Sequence, residues 1–174
     1  MHKALQQPGN FRQKELPVNP IEYLLDLGVE RVFRFILSHP DMDHMDGIKD
    51  FFEVFSPLNF WDTNNTCETE FEEGSPYNPD DWEFYKSIRD SKATTAPKRL
   101  AFHADTRGHY YNQDENGKGG GDGLYILAPT NELVAAANER DDFNDCSYVI
   151  LYRSAGGRIL LAGDSHDETW KYIL

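Results

Sequence analysis

A cluster of histidines and aspartates directly follows a predicted buried strand, and this feature constrains the fold of the chain most strongly. Residues 31–38 (RVFRFILS) alternate and then become wholly apolar, as a strand entering a sheet does. The next residues, SHPDMDHMDGI, place two histidines and three aspartates within positions 39–46. Apolar residues at helical spacing then predict a helix over 46–55. A strand, a loop and a helix start project such polar side chains together at one edge of a sheet.

The side chains in this loop predict a site for a divalent metal. His39, Asp41, Asp43 and His44 share one small volume, where unpaired ionisable groups repel or titrate and a bound dication resolves the conflict. Imidazole nitrogen with carboxylate oxygen suits zinc, with manganese or iron as alternatives. Asp164 closes a second apolar strand and can meet the same edge. A carboxylate there could bridge two ions about 3.5–4 Å apart, so one or two ions are expected.

Helical and strand patterns alternate along the rest of the chain. The predicted helices cover 19–28, 78–92, 130–140 and 165–174, the last with Ser165 and Glu168 as a capping box. The predicted strands cover 98–105, 124–129, 146–153 and 158–163, and the last two form a hairpin of buried strands. Residues 56–77 and 106–123 are interpreted as loops, and 1–18 as a polar tail. This alternation predicts one layered α/β domain.

Charge and composition exclude several classes of protein. The net charge of −13 repels phosphate backbones, so strong non-specific nucleic-acid binding is not expected. A phosphorylated substrate remains compatible, because bound cations reverse the sign of the charge locally. The two cysteines, Cys67 and Cys146, are too few for a disulfide framework and are expected to be small, buried or half-buried residues. Because no segment resembles a signal peptide or a membrane span, the sequence predicts a soluble cytoplasmic protein that does not bind membranes. The sequence gives no indication of a protein partner.

The same motifs resemble a known hydrolase family. SHPDMDHMDGI resembles the His-x-Asp-x-Asp-His metal motif of the metallo-β-lactamase fold, in the form typical of the soluble hydrolase domain of the DNA-internalisation competence proteins. The family pattern continues with a strand–proline step, an Asn-x-x-Ser before a strand and a strand ending in Gly-Asp. Here these are LYILAP, NDCSYVILY and RILLAGD. The resemblance covers about residues 20–170, apart from an insertion-like loop region at about 56–122.

The resemblance implies a fold, an activity and roles for particular residues. It implies metal-ligand roles for His39, Asp43, His44 and Asp164. Asp41 stands where most of the superfamily has a second histidine, and it either ligates or orients a neighbour. The implied activity is hydrolysis of a phosphodiester or related ester by a metal-activated water, whose proton Asp43 takes as the catalytic base. The substrate would be a small or nucleotide-like molecule.

Part of the family pattern has no counterpart in this chain. The family opens with a hairpin carrying Asp-x-Gly-x-Gly-Asp and later has a strand that ends in paired histidines, one of them a ligand. The resemblance therefore implies an αββα sandwich over residues 19–174 that is incomplete at both termini. His166, two residues after Asp164, is a possible additional ligand. His103 and His109 are interpreted as surface or loop histidines.

Three alternatives stay open. One is a non-catalytic metallo-hydrolase-like binding module. Another is a haloacid-dehalogenase-like phosphatase, in which Asp41 is the nucleophile, Asp43 the acid/base and Asp164 a magnesium ligand, with no role for the two motif histidines. The third is an acidic loop in which Asp43 or Asp46 caps the helix at 46–55. Alanine at His39 separates the first metal interpretation from the phosphatase, because only the former loses its metal.

Overall fold

The computed structural model describes residues 17–91 and 96–174, which contain six α-helices, six strands and a short 3₁₀ helix at Phe143–Cys146. The strands are β1 (Arg34–Ile36), β2 (Asn59–Asp62), β3 (Lys98–Ala101), β4 (Leu124–Ala128), β5 (Val149–Ser154) and β6 (Gly157–Leu161). The helices are α1 (Pro20–Asp26), α2 (Met42–Met45), α3 (Ile48–Phe55), α4 (Pro79–Arg89), α5 (Asn131–Arg140) and α6 (Asp167–Ile173). The α/β prediction is confirmed. The tail predicted at 1–18 lies, up to residue 16, outside the described residues, as does Lys92 of the predicted helix 78–92.

The strands form two sheets of different kinds. β1, β2 and β3 are parallel and lie in that order, with Phe35 opposite Phe60 and Trp61 opposite Leu100. β4, β5 and β6 are antiparallel, with β5 in the middle. The central strand of the parallel sheet, β2, falls within the segment 56–77, so the prediction of a loop there is wrong for these residues. With only Phe60 and Trp61 as apolar members, β2 is too short to show a period, and its pairing on both sides stabilises it.

The predicted starts of two helices are confirmed, because a side chain caps each of them. Asn19 accepts hydrogen bonds from the backbone of Ile21 and Glu22 at the start of α1, and Thr130 accepts one from Leu133 in α5. The capping box predicted at Ser165 is wrong, because α6 begins at Asp167 with His166 in the cap position.

A buried carboxylate from another element holds the start of α3. Oδ2 of Asp81 accepts a hydrogen bond from the backbone N–H of Gly47 at 3.0 Å, and Oδ1 accepts one from Lys49 at 2.9 Å. Asp81 lies in the first turn of α4, so it ties the two helices together as well as satisfying free donors. The alternative in which Asp43 or Asp46 caps this helix is therefore wrong. Asp46 instead accepts a hydrogen bond from the backbone of Asn78.

Tyr148 connects the two sheets at the buried start of β5. Its hydroxyl lies 2.7 Å from the carbonyl oxygen of Asp62 and 2.8 Å from that of Phe102, so the single phenolic proton is shared between them. Complete burial raises the pKa of Tyr148 well above its ordinary value. Its backbone N–H donates to the carbonyl oxygen of Ser38 at 2.9 Å. The residues that follow β1 are thereby held against the antiparallel sheet.

The outer strand β6 is exposed along its whole length. The side chains of Ile159, Leu160 and Leu161 are 53%, 49% and 56% exposed, and within the described ranges β6 pairs with β5 alone. The prediction of two buried strands is therefore wrong for β6, and for β5 it is confirmed only at the start of the strand, at Val149 and Ile150. An apolar run shows that a strand can be covered on both faces, but it carries no information on whether another layer covers it. Within the described part of the chain, no helix has both the length and the apolar character needed to cross a membrane.

Both cysteines are buried and free, as predicted, and their surroundings hold the thiols protonated. Burial raises the pKa of Cys67 to about 11 and that of Cys146 to about 12. A pKa raised above the ordinary value leaves almost no thiolate near neutrality, and the thiolate is the reactive form. We therefore expect neither thiol of the native chain to react with Ellman's reagent at pH 8, and both to react in denaturant. Rapid reaction of one thiol in native buffer would contradict this burial.

Candidate metal centre

Buried apolar residues in and beside the opening motif hold its polar side chains together. Leu37, Met42 and Met45 are buried in the core beneath the parallel sheet. The motif thus leaves β1 as a short loop and turns at once into α2, which carries Asp43 and His44. Asp164 comes from the other sheet, three residues after the end of β6 at Leu161. The site therefore lies where the ends of β1 and β6 meet.

Three of the predicted ligands converge. His39, His44 and Asp164 each offer one ligand atom, and these atoms all lie within 4.8 Å of one another. Nε2 of His44 lies 3.4 Å from Oδ1 of Asp164, and the two imidazole rings are 4.2 Å apart between centroids. Donors bound at 2.0–2.2 Å to one tetrahedral zinc ion lie about 3.4 Å apart, so the separation of His44 and Asp164 fits a shared ion. The predicted convergence of the two strand ends is confirmed.

Asp41 and Asp43 flank this group, each beside one histidine. Oδ2 of Asp41 lies 3.4 Å from Nε2 of His39, and Oδ2 of Asp43 lies 3.7 Å from Nε2 of His44. Contact with the His39 side chain holds the pKa of Asp41 below its ordinary value, against the opposing effect of burial. Asp41 is therefore ionised at neutral pH. The two flanking carboxylates add negative charge to a site that already suits a cation.

The deepest ligand atom has no hydrogen-bond partner. His39 is 1% exposed, and its Nε2 is buried without a hydrogen bond to any described residue. The 3.4 Å separation from Asp41 is an ion-pair distance, but the contact does not qualify as a hydrogen bond. Burying a polar nitrogen without a partner destabilises a fold, and a cation at this position would remove that cost. The side chains present therefore fit a divalent metal.

The three other histidines in the described part of the chain lie outside the converging group. Nδ1 of His166, the possible additional ligand, lies 3.5 Å from Oδ1 of Asp142, and its Nε2 lies 3.2 Å from the amide nitrogen of Asn144. His103 follows β3 in a loop, as predicted, but it is buried rather than at the surface. Its Nε2 lies 3.0 Å from the carbonyl oxygen of Thr63, which gives it a structural partner. His109 is exposed, as predicted.

Two residues that shape the site, Ser38 and Gly163, were not among the predicted site residues. The hydroxyl oxygen of Ser38 lies 3.2 Å from Nδ1 of His39 and 3.4 Å from Nδ1 of His44. Gly163 has a φ of +54°, and a Cβ there would lie 3.1 Å from the Cβ atoms of both Ser38 and Ser147. Glycine at this position therefore permits the close approach that places Asp164 beside the histidines. A hydroxyl residue directly before the first histidine, and a glycine before the aspartate, were the available signals.

A groove of about 570 Å³ lies beside the site, bordered by Asp41, Met42, Asp43 and the loop 69–77. Glu70, Glu72 and Glu73 make its outer wall acidic, and Phe71 and Tyr77 contribute aromatic surface. The groove gives a small molecule access to the two flanking carboxylates. The same acidic wall repels a long polyanion, in agreement with the overall negative charge.

Comparisons of the chain with protein-family models, with curated proteins and with solved structures give no match. The structure thus defines an α/β protein with a candidate centre for a metal ion.

Proposed function

We propose that the chain is a metal-dependent hydrolase of the metallo-β-lactamase superfamily, acting on a phosphodiester or a related ester. The convergence of His39, His44 and Asp164 is the observation that carries this proposal. Three protein donors leave a coordination position open, which is the arrangement of catalytic rather than structural metal sites. Zinc is the proposed metal, with manganese or iron as alternatives for the same nitrogen and oxygen donors.

The chain's own residues supply the remaining functions. His39, His44 and Asp164 would hold a divalent cation, which when bound would lower the pKa of a water ligand towards neutrality and polarise the substrate ester. Asp43 borders the groove, and its exposed carboxylate lies 3.7 Å from Nε2 of His44. We assign it the role of general base, which takes a proton from the attacking water at Oδ1 or Oδ2. Asp41 holds negative charge beside His39 and keeps that imidazole in place.

The proposed fold is the αββα sandwich of that superfamily. Two three-stranded sheets support it, because Tyr148 joins them and α3 and α4 pack beside the parallel sheet. The groove is large enough for a small or nucleotide-like substrate. The resemblance of the opening motif to the competence-protein hydrolases favours a phosphodiester over other esters.

Hydrolysis of bis-(p-nitrophenyl) phosphate by the zinc- or manganese-loaded chain tests the proposal. We expect metal-dependent turnover that a chelator abolishes, and a loss of about 10²–10⁴-fold in kcat for Asp43→Asn. Asp50→Asn is the matched control, because Asp50 is an exposed aspartate on α3 outside the proposed site. It should leave turnover unchanged.

Two results would overturn this function. Metal binding without turnover of any phosphodiester or ester would instead support a non-catalytic binding module. Failure of the chain to bind any divalent metal would remove the basis of both functions.

A further inference from the structure

We propose that Ser38 is a positioning residue that orients both histidines of the metal centre through one oxygen atom. Its Oγ lies 3.2 Å from Nδ1 of His39 and 3.4 Å from Nδ1 of His44. The Nε2 atoms of both rings lie on the carboxylate side, 3.4 Å from Asp41 and 3.4 Å from Asp164 respectively. This inference rests on the metal centre of the proposed function and adds a residue to it.

The hydrogens on the Ser38 hydroxyl and on the two Nδ1 atoms determine which ring nitrogens can offer a lone pair to a cation. A serine hydroxyl has one hydrogen and two acceptor lone pairs, so it can donate to only one of the two Nδ1 atoms. At least one imidazole must therefore carry its proton on Nδ1 and donate it to Ser38. When both rings offer the Nε2 lone pair to a cation, both Nδ1–H groups donate to Ser38 and its oxygen accepts twice. One residue thereby fixes the tautomer of two ligands.

The backbone around Ser38 holds this oxygen in place independently of any ligand. The N–H of Leu37 donates to the carbonyl oxygen of Trp61 in β2, and the carbonyl oxygen of Ser38 accepts from Tyr148 at the start of β5. Gly163 comes close on the remaining side, where a Cβ would lie 3.1 Å from that of Ser38. Both sheets thus fix the backbone of Ser38, which places its hydroxyl between the two rings whether or not a cation is bound.

The test compares two serines at the same junction. Ser147 is fully buried and lies beside Gly163, yet its hydroxyl has no hydrogen-bond partner in the described part of the chain. We expect Ser38→Ala to raise the Kd for Zn²⁺ by about 10–100-fold, as the loss of residues that orient metal ligands does. Ser147→Ala should leave the Kd unchanged. Competition with a chromophoric chelator measures both values in the full chain.

A spectroscopic measurement distinguishes positioning from a general loss of structure. In the zinc-loaded wild-type chain, ¹⁵N NMR should show the rings of His39 and His44 protonated at Nδ1, with both protons exchanging slowly. Ser38→Ala should speed up that exchange and change the visible spectrum of the Co²⁺-loaded chain, while Ser147→Ala should do neither. Because the wild-type spectrum needs no variant, it decides the question even if Ser38→Ala fails to fold.

The possible failures are distinguishable. Equal Zn²⁺ affinity in wild type and Ser38→Ala, or a proton on Nε2 of either histidine in the zinc-loaded wild type, overturns the role of Ser38 and leaves the metal centre standing. A wild-type chain that binds no Zn²⁺ overturns the proposed function and this inference together.

Discussion

Replacing His39 by alanine is expected to weaken zinc binding by about 100-fold or more, because even residues that only orient a ligand contribute 10–100-fold. The imidazole is the most deeply buried of the three converging donors. Its Nε2 makes no hydrogen bond to the described residues, so its lone pair is available to a metal ion. Metal content after dialysis and competition with a chelator measure the effect. Phosphodiester turnover should fall in parallel.

His109→Ala is the matched control for this variant. His109 is an exposed histidine that contacts the ring of Tyr110, away from the converging group, so its loss should leave metal binding unchanged. Unchanged metal binding by the His39→Ala variant would support the phosphatase alternative. In that case His39→Ala would retain a magnesium-dependent phosphatase activity, and Asp41→Asn would abolish it.

Replacing Arg99 by alanine is expected to lower the free energy of unfolding by about 3–5 kcal/mol, because it leaves a buried charge without its partner. Asp62 is 1% exposed at the end of β2, and Arg99 of β3 binds both of its carboxylate oxygens, at 2.9 and 3.1 Å. The side chain of Arg99 is itself only 23% exposed, so solvent screens the pair weakly. Urea denaturation of the wild type and the variant measures the difference.

Two comparisons identify the buried charge as the cause. Adding Asp62→Asn to the Arg99→Ala variant should restore part of the stability, because a neutral amide is less costly to bury than a carboxylate. Lys49→Ala removes a surface ion pair with Asp80, which solvent screens, and should change stability little. A loss below about 1 kcal/mol for Arg99→Ala would show that the pair behaves as an ordinary surface ion pair.

The helices whose starts are stabilised by residues next to them in the sequence were predicted correctly. The Asn-Pro starts of α1 and α4 and the threonine cap of α5 are readable because cap and helix are neighbours in the sequence. The strand β2 could not be predicted from its own four residues, because pairing with β1 on one side and β3 on the other stabilises it. The burial of β6 depends on whether a further layer packs on it, which periodicity does not encode.

The candidate site was predictable to a similar extent. The motif around His39 and His44 indicated donors at a strand end, and Asp164 was recognised because it ends another strand. Two details depend on how the sheets dock and could not be read from spacing. These are the orientation of His166 towards Asp142 and the contact of Ser38 with two rings at once.

The open outer strand has a consequence for the behaviour of the chain in solution. Within residues 17–91 and 96–174, β6 pairs on one side only and presents Ile159, Leu160 and Leu161, and such an edge is a template for pairing with another molecule. Mutual repulsion between copies that each carry a charge of −13 opposes that contact. Because salt screens charge over about 8–10 Å at ordinary ionic strength, colloidal stability of the chain depends on the salt concentration of the buffer. Dilute salt favours a monodisperse sample.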